Sequence, residues 1–175
     1  MKNNLKKIDV TRLPARVTFD TPFGILRGMI AAGRLNTLAW HAPEERESAN
    51  PAVTQDEDVP CYLALSSWLA GYLAGNKEPF PRRWLNVDGL SPATLRLYDV
   101  LETVPYGQYV TYGMVAAAMG SMPRAVGQLL RHNRFALVIP CHRVVGANSL
   151  KGYGGCDAAQ RKGALLDGEG AQLPF

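Results

Sequence analysis

Between Thr111 and Cys141 the chain has few folding options. From Tyr112 to Met119 apolar residues recur at helical spacing, and Val115, Ala116 and Met119 share one face. Gly120-Ser121-Met122 interrupts the period, and Pro123 stands where a new helix starts and no N–H is missed. The second helix is expected to run through His132 with Val126, Leu129 and Leu130 inward. A short helix, a glycine turn and a second helix form a helix-turn-helix layout. Many three-helix domains share that layout and bind no nucleic acid. Here it leads through the apolar run Phe135-Ala-Leu-Val-Ile139 into Pro140-Cys141-His142-Arg143-Val144. The nucleophile of sulfur chemistry is the thiolate, and a neighbouring imidazole or cation makes it available near neutral pH. A reactive thiol beside a nucleic-acid-reading element points to chemistry on a base.

The rest of the chain reads as a two-part α+β protein. Val17–Phe19, Gly24–Ile30 and Leu35–Trp40 are expected strands, with turn residues Pro22, Gly24, Gly33 and Asn36 around them. Pro43 to Val59 is polar and acid-rich, without an apolar period, and reads as a loop. Residues 61–74 read as an apolar helix that ends at Gly75. Ser91-Pro92 is a helix start, a side-chain cap followed by proline, with Leu95, Tyr98, Leu101 and Val104 at helical spacing behind it. A last helix is expected from Asp157 to Leu166. Gly89 to Pro92 marks the boundary, giving a sheet part at 1–88 and a helical part at 89–175.

Charge supports a nucleic-acid partner through its distribution. The net charge is only +4, but no carboxylate occurs from Thr103 to Cys156, while Arg124, Arg131, Arg134, Arg143 and Lys151 fall within that run. A phosphate-facing surface needs such a stretch. The three cysteines, Cys61, Cys141 and Cys156, argue against a disulfide framework. Without a Cys-x-x-Cys pair, and with only His41, His132 and His142, metal binding is not expected. Cys61 reads as a small packing residue, and Cys156 as either a packing residue or a second thiol near the pocket. No apolar run is long enough to span a bilayer, and Met1-Lys2-Asn3-Asn4 lacks the apolar stretch of a secretory signal, so a cytoplasmic location is expected.

Ile139-Pro-Cys-His-Arg-Val-Val145 closely resembles the active-site signature of the O6-alkylguanine-DNA alkyltransferases. The resemblance extends from about Ser91 to Glu169 and takes in Pro105-Tyr-Gly107, Thr111-Tyr112, Arg124-Ala-Val-Gly127, Asn133, Gly152-Tyr-Gly-Gly155 and Leu165-Leu166. The first half resembles the family more loosely, chiefly in Thr21-Pro-Phe-Gly24. The resemblance implies a ribonuclease-H-like sheet domain followed by a helical domain with a winged helix-turn-helix-like motif. It implies a monomer that needs no metal or cofactor, whose partner is double-stranded DNA carrying an alkylated guanine and entered from the minor groove. O4-alkylthymine is a second candidate substrate.

Site roles follow from the same resemblance. Cys141 would take the alkyl group, once and permanently, activated through a water by His142 and Glu169. Asn133 would tie the helix to the active-site loop. Tyr112 would donate to the base, the Val144 carbonyl would meet its exocyclic amine, Tyr153 and Leu130 would line it, and the N–H of Gly154 would reach O6. Arg124 would fill the gap left by the turned-out base, small Ala125 and Gly127 would let the helix approach DNA closely, and Thr94 and Thr111 would contact phosphate. Turning a base out costs roughly a few kcal/mol. The reading also requires Cys141 to be open to solvent, and a sulfur sealed from solvent counts against it.

The chain departs from the family at four places. Arg134 and Ala136 stand where prolines are usual, which implies a looser and more basic loop. Gly154 replaces a usual serine, and the segment between Gly155 and Leu165 is about three residues longer. Three rivals remain: a non-enzymatic relative that only binds alkylated bases, a plain helix-turn-helix regulator, and a cysteine hydrolase. The first would lack the acceptor cysteine, the second leaves Pro-Cys-His-Arg unexplained, and the third needs a histidine from His41 or His132.

Overall fold

The computed structural model describes residues 15–41, 56–150 and 158–173. Three strands, β1 (Ala15–Thr21), β2 (Gly24–Ala31) and β3 (Arg34–His41), form an antiparallel sheet in the order β1-β2-β3. All three expected strands are present. The turn after β2 uses Ala32 and Gly33 at φ 52° and 68°, a left-handed pair that matches the twist of a tight hairpin. Leu26, Ile30, Leu35 and Leu38 on one face are buried. Helix α1 (Val59–Leu73) follows and buries Cys61, Leu65, Leu69 and Tyr72. The acid-rich segment expected to be a loop lies largely outside the described residues.

In the second half, α2 (Pro92–Glu102) starts as the sequence predicts, with Ser91 Oγ accepting from the Thr94 N–H at 3.1 Å. Helices α3 (Tyr112–Met119) and α4 (Pro123–Arg131) are joined through Gly120 in the left-handed conformation. Val115, Ala116 and Met119 are buried, as are Val126 and Leu130, so both helices turn the expected faces inward. Helix α5 (Ala158–Gly168) closes the described chain. A short parallel pair was not foreseen: β4 (Val110–Thr111) runs beside β5 (Val144–Val145) and ties the start of α3 to the segment just after Cys141.

One core joins the two halves. Leu26, Leu38, Leu65 and Tyr72 from the first half pack in the same cluster as Leu97, Tyr98, Phe135 and Cys141 from the second. The backbone also crosses: Leu38 N–H donates to Arg134 O at 2.7 Å, and Ala136 N–H donates to Leu38 O at 2.8 Å. The segment before the cysteine thus pairs with β3.

This pairing corrects the expectation of a looser loop. Prolines at 134 and 136 would have no N–H, and here both N–H groups are used. Arg134 donates to Tyr98 Oη at 3.2 Å, and Ala136 donates to β3. The loop is held by hydrogen bonds that proline would forbid. Replacing Ala136 with the family's usual proline, Ala136→Pro, strands the Leu38 carbonyl, which should cost about 1–3 kcal/mol. Urea unfolding of the variant against the parent checks this, and an unchanged midpoint would show that the pairing carries no stability.

Candidate active site

The apolar run ends in a reversal. Leu137 adopts a left-handed φ of 69° while buried, a conformation a branched side chain rarely takes. Pro140 then takes φ −78° and ψ 60°, and Cys141 N–H donates to Ile139 O at 2.7 Å, an inverse γ-turn. One 3-10 turn, Cys141–Arg143, presents the thiol, the imidazole and the guanidinium together.

Asn133, at the end of α4, braces this turn. Its Oδ1 accepts from Phe135 N–H at 3.1 Å, and its Nδ2 lies 3.2 Å from Ile139 O and 3.1 Å from Cys141 Sγ. An amide N–H aimed at sulfur favours the thiolate over the thiol.

Behind the turn lies Glu169. His142 Nε2 is 2.9 Å from its Oε1. Arg143 grips both oxygens, Nη2 to Oε1 and Nε to Oε2, each at 2.9 Å, while its Nη1 donates to Val104 O at 2.7 Å. Tyr72 Oη donates to Oε1 at 2.8 Å, and Gly107 N–H donates to Oε2 at 3.1 Å. Burial alone would raise this carboxyl's pKa. The hydrogen bonds and charges of His142 and Arg143 outweigh burial and hold it at about 2. Burial lowers the His142 pKa against the opposing pull of Glu169, so the imidazole is neutral near pH 7. Its Nε2–H donates to Glu169, which leaves Nδ1 as a base. Nδ1 is buried and has no hydrogen-bond partner among the described residues.

Lys162 lies on the other side. It is 1% exposed, its Nζ donates to Val144 O at 2.7 Å, and it sits 5.8 Å from the centre of the Tyr112 ring. Burial pulls its pKa down to about 8, against the pull of a Cys141 thiolate. Burial and the same thiolate raise the Tyr112 pKa, so its hydroxyl stays a donor, and Tyr112 Oη has no partner among the described residues. Cys61 contrasts with Cys141: burial, then Asp58, pushes its thiol up to about 11, so it is inert.

The structure therefore brings Cys141, His142, Glu169 and Asn133 together, with Tyr112, Val144 and Leu130 around them. The Val144 carbonyl is already engaged by Lys162, leaving one lone pair for a base. Tyr153, Gly154 and Cys156 lie outside the described residues. Arg124 is exposed in the first turn of α4, with Ala125 and Gly127 half-buried on the same helix. The two threonines serve helix ends. Thr94 is buried with its hydroxyl 2.9 Å from Ser91 Oγ, which corrects its expected place on the phosphate surface, and Thr111 Oγ1 caps α3 by accepting from Met114 N–H. Tyr72, Arg143 and Lys162 were not singled out from the sequence as site residues. Two of them left a signal: Arg143 stands inside the Pro140–Val144 run, and Lys162 shares a helical stripe with Leu165, Leu166 and Glu169, where an unpaired lysine is costly.

Cys141 itself is 1% exposed, which corrects the expectation of an open sulfur. It belongs to the core that spans both halves, and Asn133 lies against it.

The geometry is that of a buried thiol beside an imidazole backed by a carboxylate, in the half of the chain that carries the two-helix layout. The description "6-O-methylguanine DNA methyltransferase, DNA binding domain" matches residues 92–171. Over 152 residues the chain is 34% identical to the methylated-DNA–protein-cysteine methyltransferase of Mycolicibacterium paratuberculosis, covering 85% of this chain and 88% of that one. A "DNA base-flipping protein" of Thermus thermophilus is 45% identical over 90 residues, 51% of this chain, and the chain spans only 61% of that relative's length. The solved structure of Mycobacterium tuberculosis OGT in complex with DNA superposes with a TM-score of 0.69 at 30% identity, over 89% of this chain and 92% of that one. The chain belongs to the O6-methylguanine-DNA methyltransferase family.

The carboxylate makes a pH prediction. Its pKa lies near 2 in the folded chain against an ordinary 4.5, so its stabilising contribution is complete above about 4.5 and is lost as pH falls through about 2. The shift corresponds to roughly 3 kcal/mol. Urea midpoints of the parent and Glu169→Gln should differ at neutral pH and converge near pH 2. A constant difference across that range would contradict the ionic account.

Proposed function

We propose that the protein repairs DNA by moving the alkyl group of O6-alkylguanine to Cys141, one transfer per chain. The observation that carries this reading is the contiguous set Asn133–Cys141–His142–Glu169. His142 Nδ1 takes the thiol proton through a water, and Glu169 stabilises the imidazolium that results. The sulfur attacks the alkyl carbon in line, the C–O bond breaks with its electron pair going to O6, and the guanine anion gains a proton through the Tyr112 hydroxyl, which is re-protonated from solvent. The products are a thioether on Cys141 and guanine in DNA.

The remaining assignments belong to the same proposal. DNA is entered from the minor groove along α4. Arg124 occupies the space of the turned-out base, Ala125 and Gly127 permit close approach, and Thr111 stands near the backbone at the start of α3. Tyr153 and Gly154, outside the described residues, keep the base-contacting roles that the family resemblance implies, and Val144 and Leu130 bound the pocket. The sheet unit at 1–88 is ribonuclease-H-like, and the unit at 89–175 is a winged helix-turn-helix that acts as part of a cytoplasmic monomer. Among the described residues no helix is long and apolar enough to cross a membrane. A second reading, base turning without transfer, is favoured by the 45% identity to a base-flipping protein. The presence of Cys141 with a complete activating set weighs against it.

The parent compared with Cys141→Ala separates the two readings: transfer requires methyl loss with the parent alone, and base turning gives none with either. The variant should bind an O6-methylguanine duplex as tightly as the parent by fluorescence anisotropy and remove no methyl group by chromatography of the digested DNA. Methyl loss in the variant would reject the assignment. Alkylation should itself destabilise the fold, because the sulfur is already enclosed. An added methyl overpacks the site at about 1–3 kcal/mol. Melting before and after reaction measures this, and an unmoved midpoint counts against a tight pocket.

A further inference from the structure

Tyr72 lies on α1, in the half of the chain that contributes nothing to the sequence signature. Its hydroxyl nevertheless meets the carboxylate that orients His142. Tyr72 Oη donates to Glu169 Oε1 at 2.8 Å, across 97 positions of sequence, and both side chains are buried. Oε1 is the oxygen that His142 Nε2 and Arg143 Nη2 also use. Three donors therefore compete for one oxygen. The Tyr72 ring is fixed independently, stacked on Trp68 and edge-on to Tyr106, each at 5.6 Å between centroids. Its hydroxyl is thus aimed by packing and does not follow the carboxylate.

We propose that Tyr72 is a positioning residue for the alkyl-transfer reaction: by sharing Glu169 Oε1 with His142, it limits the negative charge the imidazole feels and keeps His142 a neutral base. This inference rests on the reading of Cys141 as the alkyl acceptor. A stronger carboxylate would hold His142 protonated, and a protonated ring cannot take the thiol proton. A weaker one would leave the imidazolium unstabilised after transfer. Tyr72 sets the balance from outside the active-site turn. Burial and the Glu169 charge keep its own proton in place far above working pH, so it remains a donor throughout.

The charged and titratable groups around the imidazole are Glu169 and Lys162 from the last helical segment, Arg143 and Cys141 from its own turn, and Tyr72 from α1. Tyr106 stands behind Glu169, with its hydroxyl 3.3 Å from Gly168 O. Only Tyr72 among these can lose its polar atom while leaving the other charges, and its own ring, in place.

Tyr72→Phe tests the proposal with two readouts in the full-length protein. The first is the His142 titration followed by NMR without DNA. The second is the pH profile of methyl transfer from an O6-methylguanine duplex. In the variant Oε1 becomes more basic toward His142, so the His142 midpoint should rise by about half a unit or more. The acid limb of the transfer profile should move upward by the same amount. A simple structural role would lower the melting temperature and leave both pH readouts unmoved, and that result overturns the proposal. A parent protein that transfers no methyl would refute the functional reading instead, while the DNA-free His142 titration would still decide whether Tyr72 tunes the ring.

Discussion

The carboxylate of Glu169 holds this structure together at its most demanding point. Five donors converge on it: Tyr72 Oη, Gly107 N–H, His142 Nε2 and two nitrogens of Arg143. An unpaired carboxylate at that depth would carry a desolvation cost of several kcal/mol. Its donors come from α1, from the loop after α2 and from the cysteine turn, and Glu169 itself follows the last helix. The charge therefore fixes four separated pieces of chain relative to one another. Gly107 shows how closely they fit. It has φ 77°, and a Cβ there would come within 2.8 Å of the Glu169 carbonyl oxygen.

Burial and reactivity are reconciled through the same arrangement. Cys141 is enclosed in the free chain, yet the groups that would activate it are already in place around it. The donors and the base around the sulfur are preorganised, so they need not be assembled at the moment of reaction. The acid-free stretch of sequence from Thr103 to Cys156 spans α3, α4 and the cysteine turn alike.

Much of this was legible in the sequence because it is local. Helix starts at Ser91-Pro92 and Pro123, the Gly120 turn and the three strands all follow from near neighbours in the chain. Cys141 and His142 were legible for the same reason, lying side by side in one turn, and Asn133 was reached through the family resemblance. Glu169 was reached through family resemblance, and the geometry places it against His142 despite the longer segment before it. What stayed hidden depends on contacts between distant residues. Nothing near Tyr72 in sequence says that its hydroxyl meets Glu169. Arg143 stands inside the Pro140–Val144 run, but nothing there names Glu169 as its partner. The parallel pairing of β4 with β5 and the attachment of residues 134–136 to β3 need both strands in space. The absence of prolines at 134 and 136 looked like a loss of rigidity. The pairing turns it into a requirement for two N–H groups.

The central claim is that a sulfur poised by Asn133, His142 and Glu169 accepts one alkyl group and keeps it. Mass spectrometry of the protein after mixing with an excess of O6-methylguanine duplex tests this most directly. The account predicts that every chain gains a single methyl in place of a hydrogen, that fragmentation locates it on Cys141, and that the modification persists without further turnover. An unmodified chain, a methyl group on any other residue, or continued removal of methyl groups beyond one per chain would contradict it.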